Sequence, residues 1–228
     1  MAQFNWFTYA GIEYKTSYLA ANVVVTAGIV AFSLAARAAL GKGEAAIVPA
    51  GSLSLKGLTE AVVELVDGMV KMVLGEKGRI YLPLFGAIFF YILLNNLFGL
   101  VPGMTSATAN INLAFAVGLF SFVVYNAIGL KHGGWHYVAH FAGPIWWLAP
   151  LMIPIEIISH AVRPLSLGMR LSINMSADHT ILGTFLELTK VVVPVIFYGM
   201  GTFVSFVQAF VFTMLSMVYV MMATSDDH

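Results

Sequence analysis

Between Ser17 and Ala39 the chain stays apolar long enough to cross the hydrocarbon core of a bilayer as one helix, which takes about 20 residues. Ile80–Val101 and Leu113–Leu130 do the same. Such runs have one stable solution in lipid. Every backbone N–H and C=O must find its partner inside the segment, so the segment becomes a helix. A soluble domain would need roughly 25% charged residues to coat its surface. Here charged residues make up 10% and hydrophobic residues 60% of 228 positions, with a mean hydropathy of +0.88. The chain therefore reads as an all-α integral membrane protein.

Residues 1–228 form a single membrane domain, opening on an N-terminal segment, 1–16. Gly43–Gly51 reads as a loop. Over 55–75 the pattern changes: Leu58, Val62, Leu65, Val66, Met69, Met72 and Val73 fall on one helical face, with Glu60, Glu64, Asp67 and Lys71 on the other. That is an amphipathic helix at the membrane surface or packed on a partner, or else a surface helix on the soluble side. Spans at 80–101 and 113–130 flank a polar loop, Thr105–Asn112, and Pro102-Gly103 ends the first of them. Lys131–Tyr137 is expected as an interfacial loop with aromatic anchors. Residues 144–224 are expected to form a long helix pair, Pro144–Leu188 and Val191–Thr224, tilted or kinked because each exceeds one upright crossing. The total is about five transmembrane helices plus the amphipathic one.

Arg37, Lys42, Lys56, Lys71, Lys77 and Arg79 are six of the 11 basic residues, and the loop from Pro102 to Asn112 has none. The positive-inside rule then places residues 40–79 in the cytoplasm, the N-terminus outside and the C-terminus inside. The first fifteen residues lack a basic n-region and the apolar run after them is too long for a signal peptide, although Leu34-Ala-Ala-Arg-Ala imitates a cleavage site. Net charge is zero, with no basic stripe for nucleic acid. There is no cysteine, hence no disulfide or thiolate metal site.

Arg170 lies within some of the most apolar sequence of the chain. A guanidinium at membrane depth costs at least about 2.5–3.5 kcal/mol, and with a pKa above about 12 it cannot escape by deprotonating. With Arg170 at zero on a helical wheel, Arg163 falls at about +20°, Glu156 and Asn174 at +40°, Asp178 at +80° and Ser166 at −40°, while His179 lies opposite. Intramembrane ionisable groups on one surface mark ion pathways, proton relays or counter-ions. The plainer reading is a Glu156–Arg163 ion pair gluing helices, or Arg163 reaching to the interface.

On the last helix Gly201, Ser205, Gln208 and Tyr219 share a face that permits close packing and interhelical hydrogen bonds. Asn95 and Asn96 are expected to cap or pack, with the lining of a polar channel as the sharper alternative. His132, His136 and His140 recur at a spacing that binds metal on a helix. Gly133-Gly134 should break that helix, and no carboxylate stands near, so they read as loop and interface histidines.

Ser166-Leu-Gly-Met-Arg170-Leu-Ser-Ile-Asn174-Met resembles the signature of subunit a of the F-type ATP synthase, the membrane stator facing the rotating c-ring. Asn95-Asn-Leu-Phe-Gly-Leu-Val-Pro-Gly103, Asn110-Ile-Asn-Leu and Gln208-Ala-Phe-Val-Phe-Thr-Met-Leu-Ser-Met-Val-Tyr219 agree in order and spacing, over roughly residues 80–224. The resemblance implies five transmembrane helices plus an amphipathic one, the last two long and strongly tilted along the c-ring. It makes Arg170 the essential charge facing a c-ring carboxylate and Gln208 the glutamine packed near it. Glu156, Ser159 and Ser166 match the cytoplasmic half-channel, and Asn174, with Asp178 and His179, the outer one. Many relatives carry glutamate at His179 and histidine at Gly201, so here the relay carboxylate has moved by one residue to Asp178. An imidazole with a pKa near 6.5 can also relay protons.

The resemblance implies ion translocation, with the proton as the expected ion, through two offset half-channels. It implies a subunit that is not catalytic on its own and needs no cofactor or metal. The implied partners are the c-ring, the b subunits of the peripheral stalk and the whole complex, in a bacterial inner membrane. A stand-alone channel or secondary transporter would show internal repeats, and an intramembrane enzyme a nucleophile or zincin motif. The chain has neither.

Overall fold

The computed structural model describes residues 5–13, 16–40, 54–140, 149–188 and 192–224. Among these are seven α-helices: α1 (Trp6–Tyr9), α2 (Ser17–Leu40), α3 (Leu55–Leu74), α4 (Leu82–Leu100), α5 (Ile111–His140), α6 (Ala149–Leu188) and α7 (Val192–Thr224). Short 3-10 turns at Glu76–Tyr81 and Ala107–Ala109 lead into α4 and α5. No strand occurs among the described residues. The loop expected over Gly43–Gly51 and the expected helical start at Pro144 lie outside them.

Four segments are long and apolar enough to cross a membrane: Ser17–Ala39, Glu76–Leu100, Ile111–Gly134 and Pro194–Thr224, with mean hydropathies of 2.1, 1.7, 2.0 and 1.9. Helix α6 is not among them, although it is the longest at 40 residues. At 1.5 Å per residue it measures about 60 Å, twice the hydrocarbon thickness of about 30 Å. Glu156, Arg163, Arg170 and Asp178 all fall within it.

Local chemistry sets the helix ends. Ser54 Oγ accepts from Gly57 N–H at 3.2 Å to cap α3, and Gly75 closes it at φ 67°, its N–H donating to Lys71 C=O. Helix α4 starts with a proline in its first turn and ends at Val101, held in extended backbone before Pro102. The expected loop over Lys131–Tyr137 is helical instead. Gly134, at φ 52° and ψ −131°, absorbs the break by itself, so α5 kinks there rather than unwinding. The side chains of His136 and His140 lie outside the described residues; His132 is exposed. The loop expected over Thr105–Asn112 holds a 3-10 turn, and α5 begins within it at Ile111.

Helices α4, α5, α6 and α7 pack around one apolar core that includes Phe85, Phe89, Ile92, Ala114, Leu167, Leu171, Phe212 and Met217. Helix α3 lies across one end of it. Its buried strip is Val66, Met69 and Val70, narrower than the apolar face read from the sequence. Leu58, Leu65 and Met72, at 53%, 40% and 79% exposure, form a heptad-spaced apolar stripe beside that strip. A stripe of this kind suits the bilayer interface. On the polar face Asp67 accepts from Lys71 Nζ at 2.8 Å and Arg79 Nε at 2.9 Å. The hydrogen bond from Lys71, reinforced by Arg79 against the opposing effect of burial, holds the Asp67 carboxyl below its ordinary 3.8.

Helix α6 crosses α5 at backbone contact. A methyl on Gly118 would sit 2.5 Å from Pro164 C=O oxygen, and one on Gly168 would sit 2.9 Å from Phe115 Cα. Small residues at such crossings let helices approach in membranes. At the other end of the molecule Asn5 Nδ2 donates to Thr105 Oγ1 at 2.7 Å and Trp6 N–H to Gly103 C=O at 2.9 Å. The N-terminal segment is thereby strapped over the loop that follows α4.

Candidate ion-translocation site

Helix α6 buries His160, Pro164, Leu167, Gly168, Leu171, Ser172 and Met175 against its neighbours. Arg170 lies two residues past the α5 contact at Gly168, about 200° around the helix. It is therefore turned away from the bundle and exposed. Among the described residues it has no hydrogen bond, ion pair or aromatic contact, whereas His160 and Arg163 on the same helix are both engaged. The apolar residues around it, Met169 and Ile173, are exposed as well, at 40% and 56%. The result is a cation without a partner among the described residues, on an apolar outer surface.

Arg163 behaves differently. Its guanidinium lies 6.0 Å from the Tyr125 ring centroid and 5.2 Å from that of Tyr219, a cation–π arrangement between α5 and α7. It pairs with no described carboxylate and does not reach outward, so both readings of Arg163 drawn from the sequence are replaced. Glu156 pairs instead with His160, Nε2 to Oε1 at 3.2 Å. His160 Nδ1 in turn meets Tyr125 Oη at 3.0 Å. Ser166 Oγ donates back to Arg163 C=O at 2.9 Å, and Ser159 is exposed.

Further along α6, Asn174 Nδ2 donates to Gln208 Oε1 at 2.9 Å, joining α6 to the small-residue face of α7. Gly201, Ser205 and Gln208 on that face are buried, and Gly201 abuts Leu100. His179 lies against α4: a methyl on Gly99 would fall 2.7 Å from His179 Nε2 and would collide with Ser106 Cβ. Only glycine lets these three elements meet. Next to them Asn95 and Asn96 are fully buried. Thr108 Oγ1 donates to Asn96 Oδ1 at 2.6 Å, and Ser106 Oγ donates to Asn95 C=O at 3.3 Å.

Several polar atoms in this half of the bundle find no partner among the described residues. They are Asn95 Oδ1, Asn96 Nδ2, Asp178 Oδ2, Tyr198 Oη, Ser205 Oγ and Gln208 Nε2, all buried and all on α4, α6 or α7. Leaving one such group unsatisfied costs about 1–3 kcal/mol, so six together would be a heavy burden on a fold. Above them an open cavity of about 460 Å³ is lined by Ser17, Tyr18, Thr105, Ser106, Asn110 and Asn112.

The structure thus brings Asn174 to Gln208, sets His179 beside the Asn95–Asn96 end of α4, and holds Glu156, Ser159 and Ser166 along the opposite half of α6. Sequence reasoning missed His160, Tyr125, Tyr198, Ser106 and Thr108. The four-residue step from Glu156 to His160 was the one legible signal. Tyr125, on another helix 35 residues away, had none.

A bundle of long apolar helices carrying Arg170, a cation on its apolar face with no partner among the described residues, and a line of buried polar groups defines an integral membrane protein of the ion-transporting class. The ATP synthase A chain family model matches residues 19–221. ATP synthase subunit a of Bdellovibrio bacteriovorus is 50% identical over 227 residues, 99% of each chain. That of Geobacter sulfurreducens is 42% identical over 181 residues, 79% of this chain and 78% of its own. That of Trichlorobacter lovleyi is 41% identical over 181 residues, 79% and 77% respectively. The chain belongs to the ATP synthase subunit a family, a membrane component of that complex serving ATP synthesis and ion transport.

Proposed function

We propose that the chain carries protons through two offset aqueous half-channels at a c-ring, coupling their flow to ring rotation. The observation that carries this reading is Arg170, a permanent charge on the outer face of α6 with no partner among the described residues. Its countercharge then comes from another chain, the carboxylate of a passing c subunit. The guanidinium favours the ionised form of that carboxylate as it arrives, and its fixed charge blocks direct leakage between the half-channels. Each elementary charge crossing 100 mV supplies about 2.3 kcal/mol. Transfer in discrete steps on either side of Arg170 lets that energy drive rotation.

In this reading the outer half-channel runs from the cavity at Ser106 and Asn110 past Asn95, Asn96, His179 and Asp178 to Asn174 and Gln208. A file of water along it satisfies the orphaned atoms of α4, α6 and α7, each water making about three hydrogen bonds. Asp178 and His179 share the relay there. The inner half-channel runs along Ser166, Ser159 and Glu156. The N-terminus faces the outside of a bacterial inner membrane, and residues 40–79 and the C-terminus face the cytoplasm. Helices α6 and α7 lean along the c-ring, and the b subunits of the peripheral stalk hold the chain against rotation.

The test is Arg170→Ala beside Arg170→Lys in inverted membrane vesicles, with ATP-driven proton pumping as the readout and complex assembly measured in the same membranes. Both variants assemble and neither pumps, because a compact ammonium lacks the planar delocalised fork of arginine. Full pumping by either overturns the reading.

A further inference from the structure

Glu156, His160 and Tyr125 form a run of three titratable side chains that crosses from α6 to α5, the first two in ion-pair contact and the last two hydrogen-bonded. Glu156 Oε1 lies 3.2 Å from His160 Nε2, and His160 Nδ1 lies 3.0 Å from Tyr125 Oη. The chain runs inward from the surface. The Glu156 side chain is 35% exposed, His160 is 9% exposed and Tyr125 only 1%. The other charged or titratable groups facing this cluster among the described residues are Arg163 on α6 and Tyr219 on α7. Arg163 is committed to the rings of Tyr125 and Tyr219. Its charge is thus engaged by π faces and leaves the Glu156 carboxylate to the imidazole.

We infer that Glu156 and His160 together form a station holding one exchangeable proton on the inner ion path, with Tyr125 as the residue that positions the imidazole in both of its charge states. The inference rests on the half-channel reading above and adds to it two residues, His160 and Tyr125. The chemistry follows from the phenol. A tyrosine hydroxyl can donate or accept, whereas a neutral imidazole has one donor and one acceptor nitrogen and an imidazolium has two donors.

In the empty state Nε2–H donates to the Glu156 carboxylate and Tyr125 O–H donates to Nδ1. In the loaded state the ring carries the added proton, Nε2–H still donates to Glu156, and Nδ1–H donates to Tyr125 Oη. Reversing one hydroxyl therefore keeps the Tyr125–His160 hydrogen bond in both states, so charging the ring leaves neither ring nitrogen without a partner. Glu156, at the wet end, exchanges the proton with water. From the imidazolium, Nε2 passes its proton to Glu156 and leaves the empty tautomer whose Nδ1–H donates to Tyr125 Oη. In that tautomer Nε2 takes a proton back from protonated Glu156, whereas the Nε2–H tautomer is a second empty form that does not load from Glu156. Loading converts the site from a lone carboxylate to a neutral ion pair, so one proton enters and one unit of charge is gained. No other reactant is involved.

The experiment measures ATP-driven proton pumping against pH in inverted vesicles for His160→Gln, Tyr125→Phe and the parent chain, normalised to assembled complex. Glutamine keeps an amide N–H for Glu156 but cannot titrate. It should lower the rate about tenfold or more and erase the limb of the pH profile that the imidazole contributes in the parent chain. Tyr125→Phe should keep pumping but displace that limb. An unchanged rate and profile in His160→Gln overturns the inference. If that variant fails to assemble, the Tyr125→Phe profile decides, and an unshifted limb overturns it. Arg170→Ala, run alongside, separates the two levels. Its failure to pump with His160→Gln unaffected removes the station and leaves the half-channels standing, whereas pumping by Arg170→Ala removes both.

Discussion

Gly168→Ala is the smallest change that should disturb the ion path without touching any polar group. The added methyl would lie 2.9 Å from Phe115 Cα, 3.1 Å from Ala114 C=O oxygen and 3.2 Å from Phe115 N, all of them backbone atoms of α5. The nearest contact is about half an ångström short of the 3.4 Å at which ordinary contact begins. Backbone cannot rotate out of the way as a side chain can, so α6 must move off α5. Overpacking of this kind costs about 1–3 kcal/mol. Arg170, two residues further and on the opposite face, moves outward with the helix. A displacement near 1 Å can cost about a hundredfold in a geometry-dependent step. The assay compares thermal inactivation of the detergent-solubilised complex and ATP-driven pumping in vesicles. Gly28→Ala and Gly68→Ala are the controls, since a methyl at either has nothing within 4 Å. These two should be neutral or slightly stabilising, alanine being the better helix former by about 0.8–1 kcal/mol. A Gly168→Ala protein as stable and active as those controls would refute the claim that the α5–α6 crossing sets the position of Arg170.

Two further outcomes are expected. Asp67 has a folded-state pKa below its unfolded value, so the stability it lends α3 is fully present above about pH 4 and is lost as pH falls through the lowered value. Limited proteolysis at the α3–α4 junction should therefore rise with acid in the parent chain, whereas Asp67→Asn should be cut readily at neutral pH and show a flatter response. A double-mutant cycle of Asn174→Leu and Gln208→Leu, read by thermal stability in detergent, should give a coupling of about 0.6–1.7 kcal/mol, the range of interhelical hydrogen bonds in membranes; zero coupling would mean that the 2.9 Å contact does not tie α6 to α7.

The fold was legible wherever the solvent dictated it. Apolar runs of bilayer length must be helical, so the all-helical class followed from Ser17–Ala39, Ile80–Val101 and Leu113–Leu130 before any contact was known. Legibility failed where one residue decides locally. Gly133-Gly134 read as a helix break and Gly134 does break it, but the residues on both sides stay helical where a loop was expected over Lys131–Tyr137. It failed again on α3, where periodicity reports which residues are apolar and not which neighbour covers them. Val70 is fully buried while Leu58 and Met72, on the face read from the sequence, are exposed. At the site, Arg170 stood out because the cost of its charge is a property of one residue. The Glu156–His160 pair is local and was missed beside the more conspicuous seven-residue step to Arg163. Tyr125 joins that pair only through the close crossing of α5 and α6, which no local pattern encodes.

The two halves of the bundle satisfy their buried polar groups in different ways, and the difference bears on how charge moves through each. Toward the Glu156 end, side chains satisfy one another: Ser121 Oγ donates to Ser216 Oγ at 2.8 Å, Ser216 to Phe212 C=O at 3.0 Å, and His160 bridges Glu156 and Tyr125. Toward the Asp178 end, the unsatisfied atoms of Asn95, Asn96, Asp178, Tyr198, Ser205 and Gln208 collect. Polar atoms bound to each other present few sites to a continuous water file, while orphaned atoms in apolar surroundings need one. On the half-channel reading proposed above, the outer path is lined by orphaned polar atoms that water satisfies, and the inner path adds the titratable pair Glu156–His160 to its water, with Arg170 between them. Widening the inner side should then do little for conduction. Removing the titratable imidazole should do much, and the reverse should hold at Ser205 and Tyr198, where bulk rather than ionisation would close the path.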